Sequence, residues 1–294
     1  MTGLRPGVED YLFSLAAERG LSVNTIAAYR RDLAQYLDFL GEKEPDPADL
    51  DGFVKHLHRR RLAPASVARK LAAVRGLHRF LVSEGLSAED PTRLLDRAKP
   101  RESFPKALTV EQTFALVEAP DVGAISGRRD RALLEFLYGT GARVSEAVGV
   151  DLLSLDLDAR TVIVTGKGDK QRLVPLGSSA AAAIFAWLPD RLAISKPGAA
   201  SEALFLNLRG GRLSRQSAFR IVRRHADRVG IDPSTVSPHT LRHSAATHMV
   251  EGGADLRSVQ IMLGHARIST TQVYTRVSPQ HLVEVFYLSH PRSR

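Results

Sequence analysis

The 294-residue chain contains no cysteine. That excludes disulfides, a thiolate nucleophile and Cys-ligated zinc, and it fits a reducing cytoplasm. Aromatic residues are sparse at 6%, but 44% hydrophobic content suits one large packed domain or two ordinary ones. No apolar run reaches the roughly 18–20 residues needed to span a bilayer, so no membrane contact is expected. The opening MTGLRPGVEDYLF lacks the basic start and apolar core of a signal peptide. There is no G-x-x-x-x-G-K-[ST] segment, which argues against nucleotide coupling through a P-loop. His239, His243 and His248 do not form H-E-x-x-H, and Arg242 among them repels a cation, so neither metal nor cofactor is expected. Acid is in deficit: 32 Asp and Glu face 41 Lys and Arg, for a net charge of +9. Such an excess fits either a polyanionic partner or a protein that is simply basic.

Residues 1–90 read as a helical bundle. Val8, Leu12 and Leu15 share a face, with Gly20 as a stop. Ser22 is placed to cap a second helix, in which Ile26, Tyr29, Leu33, Tyr36 and Leu40 form an amphipathic stripe. A third helix carries Leu50, Phe53, Val54 and Leu57. A fourth, with Ser66 as its cap, carries Val67, Leu71, Val74, Leu77 and Leu81. The opposite faces are basic, with His56, His58, Arg59, Arg60 and Arg61 in one cluster and Arg69, Lys70, Arg75, His78 and Arg79 in another. Few acids interrupt them. They read as a surface for DNA phosphates, with a solvated charged face as the ordinary alternative for any one residue. Residues 91–107 lose the pattern and hold Pro91, Pro100 and Pro105, so they are taken as a linker.

Residues 108–294 read as a second, mainly α domain with a small antiparallel sheet. Thr109 and Gln112 have capping-box spacing. A helix over Arg128–Tyr138 ends at Gly139-Thr140-Gly141, and a short helix follows with Arg143 and Glu146 on one face. The β-branched run Thr161–Thr165 and its answer Arg172–Leu176 predict a hairpin with Lys167 at the tip. Leu204–Leu208 suggests one further short strand. Ser214 is placed to cap a basic helix through Arg228, with Arg215 and Arg220 as DNA-binding candidates. Ser237 opens another helix, Asp255 caps the next and Gly264 stops it. Tyr274 falls on a helix from Ser269, and a last helix runs from Pro279 to Leu288.

Arg143, Lys167, His239, Arg242, His265 and Tyr274 all suit phosphoryl transfer without metal. Two guanidiniums can bind non-bridging oxygens bidentately. A tyrosine hydroxyl can form a covalent phosphodiester, given a base or a positive field. Histidine moves protons near neutral pH, and lysine can protonate a leaving sugar oxygen. Each also has a plain reading: Arg143 paired with Glu146, Lys167 solvated at a turn, Tyr274 in a core. Spacing alone does not make the six converge.

The segments GTGARVSEAVGVDL, VTGKGDKQRLVPLG and SPHTLRHSAATHMVEGGADLRSVQIMLGHARISTTQVYTR, in this order, resemble the tyrosine recombinase (phage integrase) family. The H-x-L-R-H and L-G-H-x-x-I-x-T-T-Q-x-Y strings are specific in combination. The likeness covers nearly the whole chain and is most like the bacterial Xer subgroup. Arg276 stands where the family usually has a histidine two residues after the tyrosine. The resemblance implies a helical core-binding domain and a catalytic domain closing as a C-shaped clamp on double-stranded DNA. It implies Tyr274 as the nucleophile of a 3′-phosphotyrosyl intermediate, Arg143 and Arg242 on the scissile phosphate, and Lys167 as general acid. His239 would assist proton transfer, His265 would bond a phosphate oxygen, and Glu146 would support Arg143. It further implies a homo- or heterotetramer with a second, XerC-like recombinase, and resolution of chromosome dimers at a dif-type site during cell division. A septal DNA translocase of the FtsK type would exert control, the setting would be cytoplasmic and nucleoid-associated, and the last helix would dock on a neighbouring protomer. A mobile-element integrase of the same chemistry and a non-cleaving architectural DNA-binding protein are the alternatives.

Overall fold

The computed structural model describes residues 4–17, 21–41, 43–95, 107–166, 168–196, 202–264 and 278–293. The chain divides into two compact units, Met1–Ser103 and Phe104–Arg294. The first holds α1 (Leu4–Ala17), α2 (Val23–Leu40), α3 (Pro47–Arg59) and α4 (Pro64–Ser83). Ser22 caps α2 by accepting the Thr25 N–H. Asp46 and Asp49 form a reciprocal capping box on α3. α4 starts at Pro64, ahead of the expected cap Ser66, because proline's fixed φ already suits a first turn; no side chain caps it. The apolar stripes meet in one core in which Leu12, Leu33, Tyr36, Phe53, Leu57, Val74 and Leu77 are fully buried. Each such side chain contributes about 1.5–3 kcal/mol by leaving water.

Residues 91–95, expected to begin the linker, belong to this first unit. Pro91–Leu94 is a 3-10 turn in which Asp90 accepts the Thr92 N–H at 2.8 Å, and Arg75 donates to the Leu95 carbonyl at 2.9 Å. A capped turn has no apolar period, which is why the pattern lapses there.

The second unit is built around α6 (Ile125–Thr140), where Ala132, Leu133, Leu134, Phe136, Leu137 and Tyr138 are all buried. A helix apolar on all sides must be covered on all sides. α5 (Val110–Glu118), opened by the expected Thr109–Gln112 box, α8 (Ser178–Ile194) and α10 (Pro238–Glu251) cover it. α8 has no clear sequence stripe beyond its alanine run. Those small side chains let α6 come close: a Cβ at Gly139 would lie 3.5 Å from the Ala180 methyl. α7 (Val144–Gly149) follows α6, and α9 (Arg215–Arg228) carries the Ser214 cap. α11 (Leu256–Leu263) is capped by Asp255 and ends at Gly264.

The expected hairpin is β2 (Thr161–Thr165) against β3 (Gln171–Pro175), with Val164 opposite Arg172. The third strand is β1 (Leu155–Asp156), not Leu204–Leu208. That apolar run makes only the isolated bridge Leu206–Arg212; its Leu204, Phe205 and Leu206 are buried as core filling.

α12 (Pro279–Ser289), expected to dock on a neighbouring protomer for want of a local partner, has one in the fold. Phe286, 1% exposed, packs within its own unit on Met249, Val259, Met262 and Leu263. The residues after it are fastened as well. Arg292 is buried and paired with buried Glu135 and exposed Glu118, and the Ser293 carbonyl accepts the Ser178 N–H. The helix has a local partner that its own sequence does not reveal.

Candidate active site

Three guanidiniums from three distant elements converge on the C-terminus of α11. The last carbonyls of a helix have no partner within it and carry its negative dipole end. Here Arg172 donates to Met262 O at 3.0 Å, Arg242 to Leu263 O at 2.6 Å and Arg143 to Gly264 O at 2.9 Å. Arg242 also donates to Gly141 O at 2.7 Å, which ties the α6–α7 turn to the same point. Two glycines make this approach possible. Gly264 has φ +67°, and a Cβ there would lie 3.1 Å from the Arg172 guanidinium. Gly141 has φ +57°, and a Cβ would stand 2.5 Å from Leu263. Both positions are left-handed and crowded, so only glycine fits without strain.

Glu146 is the one carboxylate in contact with the cluster among the described residues. Arg172 grips both its oxygens at 2.8 Å, and Arg143 reaches Oε1 with its side chain and Oε2 with its backbone N–H, each at 2.8 Å. Burial alone would raise the Glu146 pKa, but hydrogen bonds from Arg172 and Arg143 outweigh it and hold the carboxyl down at about 2. Burial, then the charge of Arg143, pushes the Arg242 pKa down to about 10, which still leaves it charged. Three cations against one anion make a local surplus of positive charge suited to an oxyanion. His239 lies one turn before Arg242 on α10 and is exposed at its end. Desolvation, then Arg242, His243 and Arg143, lower its pKa, so its imidazole is neutral at pH 7 and able to accept a proton.

The structure thus brings together Arg143, Glu146 and Arg242, with His239 one turn before Arg242 on α10. Lys167, His265 and Tyr274 lie outside the described residues. The described neighbours of Lys167 and His265 border the cluster: Gly264 precedes His265, and a Cβ at Gly166 would lie 3.3 Å from Glu146 Oε1. His248 is structural, bonded to Tyr138 Oη at 2.9 Å and to Leu108 O at 2.8 Å. Arg172 escaped the sequence reading. The signal was the hairpin register, because a residue opposite buried Val164 faces inward, and an inward arginine needs a carboxylate.

The basic helices divide. Arg59, Arg60, Arg79, Arg215 and Arg220 are exposed. Arg69 is exposed but doubly bonded to Asp32, and Arg75 is half-buried against Leu95 O. Lys70 is corrected: only 6% exposed, it lies 2.7 Å from both Asp32 and Gln35 and cannot face a phosphate. His78 is likewise buried, bonded to Tyr36, and desolvation pushes its pKa down to about 4. Buried Asp130 of α6 holds its neighbour Arg129 and, from α9, Arg224 and His225, which anchors the helix that presents Arg215 and Arg220.

Residues 106–281 match the model of the phage integrase family, and residues 8–85 that of the phage integrase N-terminal SAM-like domain. Tyrosine recombinase XerD of Mycobacterium tuberculosis strain H37Rv is 45% identical over 309 residues, covering 98% of each chain. The XerD of Staphylococcus aureus strain N315 is 42% identical, covering 97% of this chain and 99% of that protein. Among solved structures, the XerH site-specific recombinase bound to palindromic difH substrate matches in fold, with a TM-score of 0.70 and 23% identity over 92% of this chain and 81% of that one. With two matching domain models and near full-length relatives, the chain belongs to the phage integrase family and is a tyrosine recombinase, a DNA strand-exchange enzyme.

Proposed function

We propose that Tyr274 attacks a DNA phosphodiester held by Arg143 and Arg242, giving a 3′-phosphotyrosyl bond and a free 5′-hydroxyl. The tyrosine proton passes to a neutral imidazole, for which His239 is suited, and Lys167 supplies the proton to the departing 5′-oxygen. His265 bonds a non-bridging oxygen. A 5′-hydroxyl of the partner strand then attacks the phosphotyrosyl bond and releases Tyr274. One phosphoester replaces another at each step, so no nucleotide hydrolysis is required. The observation that carries this reading is the meeting of Arg143 and Arg242 at the end of α11, directly before His265 in sequence.

In this reading both units bind duplex DNA, with Arg59, Arg60, Arg79, Arg215 and Arg220 on phosphates. Four protomers, alone or with a XerC-like partner, act at a dif-type site to resolve chromosome dimers, under an FtsK-type septal translocase. The enzyme works in the cytoplasm on the nucleoid. A duplex carrying the dif-type site, nicked beside the cleavage position so that the released fragment diffuses away, tests the chemistry. Wild type accumulates a covalent protein–DNA adduct and Tyr274→Phe does not; an adduct with Tyr274→Phe would refute the nucleophile.

A further inference from the structure

Arg143 faces two claims on its charge. Glu146 lies 2.8 Å away, and on the reading above a phosphate must be bound by the same guanidinium. A carboxylate and an arginine in a close pair are together neutral, which would leave little field for an anion. The geometry shows how the conflict is met. Arg172 takes Glu146 in the bidentate, fork-on-carboxylate arrangement, with both bonds at 2.8 Å, whereas the Arg143 side chain gives Glu146 a single N–H. The fork is the stronger pairing. Exposure divides the two in the same way: the Arg143 side chain is 41% exposed and that of Arg172 is 17%. Arg172 also donates through Nε to Met262 O. Each of its three nitrogens therefore has a partner, and its side chain is the less open of the two.

We infer that Arg172 is a positioning residue that acts as the counter-charge of Glu146, and so leaves the charge of Arg143 available to the scissile phosphate. Glu146 then orients Arg143 without neutralising it. The inference rests on the proposed role of Arg143 as a phosphate ligand. The cluster as a whole behaves as a fixed carboxylate with one dedicated arginine and one lent arginine. Removing Arg172 would turn the Arg143–Glu146 contact into an ordinary neutral pair.

Single-turnover cleavage of the nicked dif-type duplex separates this from a purely structural role. Arg172→Gln removes the charge at similar size and is expected to slow cleavage about 10²-fold, the scale of losing one charged stabiliser of an oxyanion. Arg172→Lys keeps the charge without the fork and is expected to stay within about tenfold of wild type. In the Arg172→Gln background, Glu146→Gln removes the unbalanced carboxylate and is expected to restore cleavage at least about tenfold, a coupling of opposite sign to additive damage. Tryptophan fluorescence melts confirm that each variant is folded at the assay temperature. Cleavage by Arg172→Gln at the wild-type rate overturns the inference, as does a double variant no faster than Arg172→Gln. If wild type forms no adduct, or Tyr274→Phe still does, it is the proposed chemistry that fails instead.

Discussion

Replacing Glu146 by glutamine keeps its shape and removes its charge, which makes its contribution to stability measurable. The carboxylate is 1% exposed and held by four hydrogen bonds from Arg143 and Arg172. Its pKa falls from 4.5 to about 2 on folding. At about 1.36 kcal/mol per pH unit, that difference corresponds to about 3 kcal/mol of stability at neutral pH. The sign follows from the folded pKa lying below the unfolded one. The contribution is complete above about pH 4.5 and fades as pH falls toward 2. Trp187, the single tryptophan, is fully buried in α8 and donates to Leu204 O, so its fluorescence reports on the second unit. In urea, Glu146→Gln is expected to lose about 3 kcal/mol at pH 7, read as a lower midpoint with an unchanged slope. The gap between variant and wild type should close between pH 4.5 and 2. A gap that stayed constant down to pH 2, or no gap at pH 7, would refute the claim that the ion cluster holds the second unit together through this carboxylate.

Phe286→Ala should cost about 3–5 kcal/mol in the same fluorescence assay, the usual cost of removing a buried phenylalanine. An unperturbed melt would mean that α12 does not dock on its own unit in solution. The basic residues of the first unit should separate by salt dependence of DNA binding. Arg59→Ala and Arg60→Ala should each lower the slope of log affinity against log salt by about 0.9 for every phosphate the protein no longer neutralises. Lys70→Ala should leave that slope unchanged and reduce stability by less than the about 3–5 kcal/mol of an orphaned buried charge, because Arg69 still holds Asp32.

Helices with a clear apolar period and a capping side chain were legible from sequence. α2, α5, α9, α10 and α11 begin where Ser22, Thr109, Ser214, Ser237 and Asp255 mark them. α8 was not, because its alanines and buried Trp187 pack on α6 without a contrasting polar face. Leu204–Leu208 misled because a fully buried run looks the same whether or not it pairs as a strand. In the site, Arg143 and Arg242 were singled out through motif strings, yet nothing in their spacing announced a common anchor. That anchor is a set of carbonyls, and backbone atoms leave no trace in residue identity. Lys70 and Arg59 show the same limit at the surface. Both are basic residues near helix faces, and only the position of Asp32 tells that one is spent internally.

The convergence on α11 also bears on when the enzyme becomes dangerous to DNA. Arg143 and Arg172 are synthesised 121 and 90 residues before the carbonyls they grip. A chain still emerging from the ribosome can form α6, α7 and the hairpin, but it has only Glu146, and not yet Arg242 or the α11 carbonyls, to hold those two arginines. The three-arginine arrangement is therefore the product of late chain closure, and a half-made molecule carries Arg143, Glu146 and Arg172 without the α11 carbonyls and Arg242 that complete it.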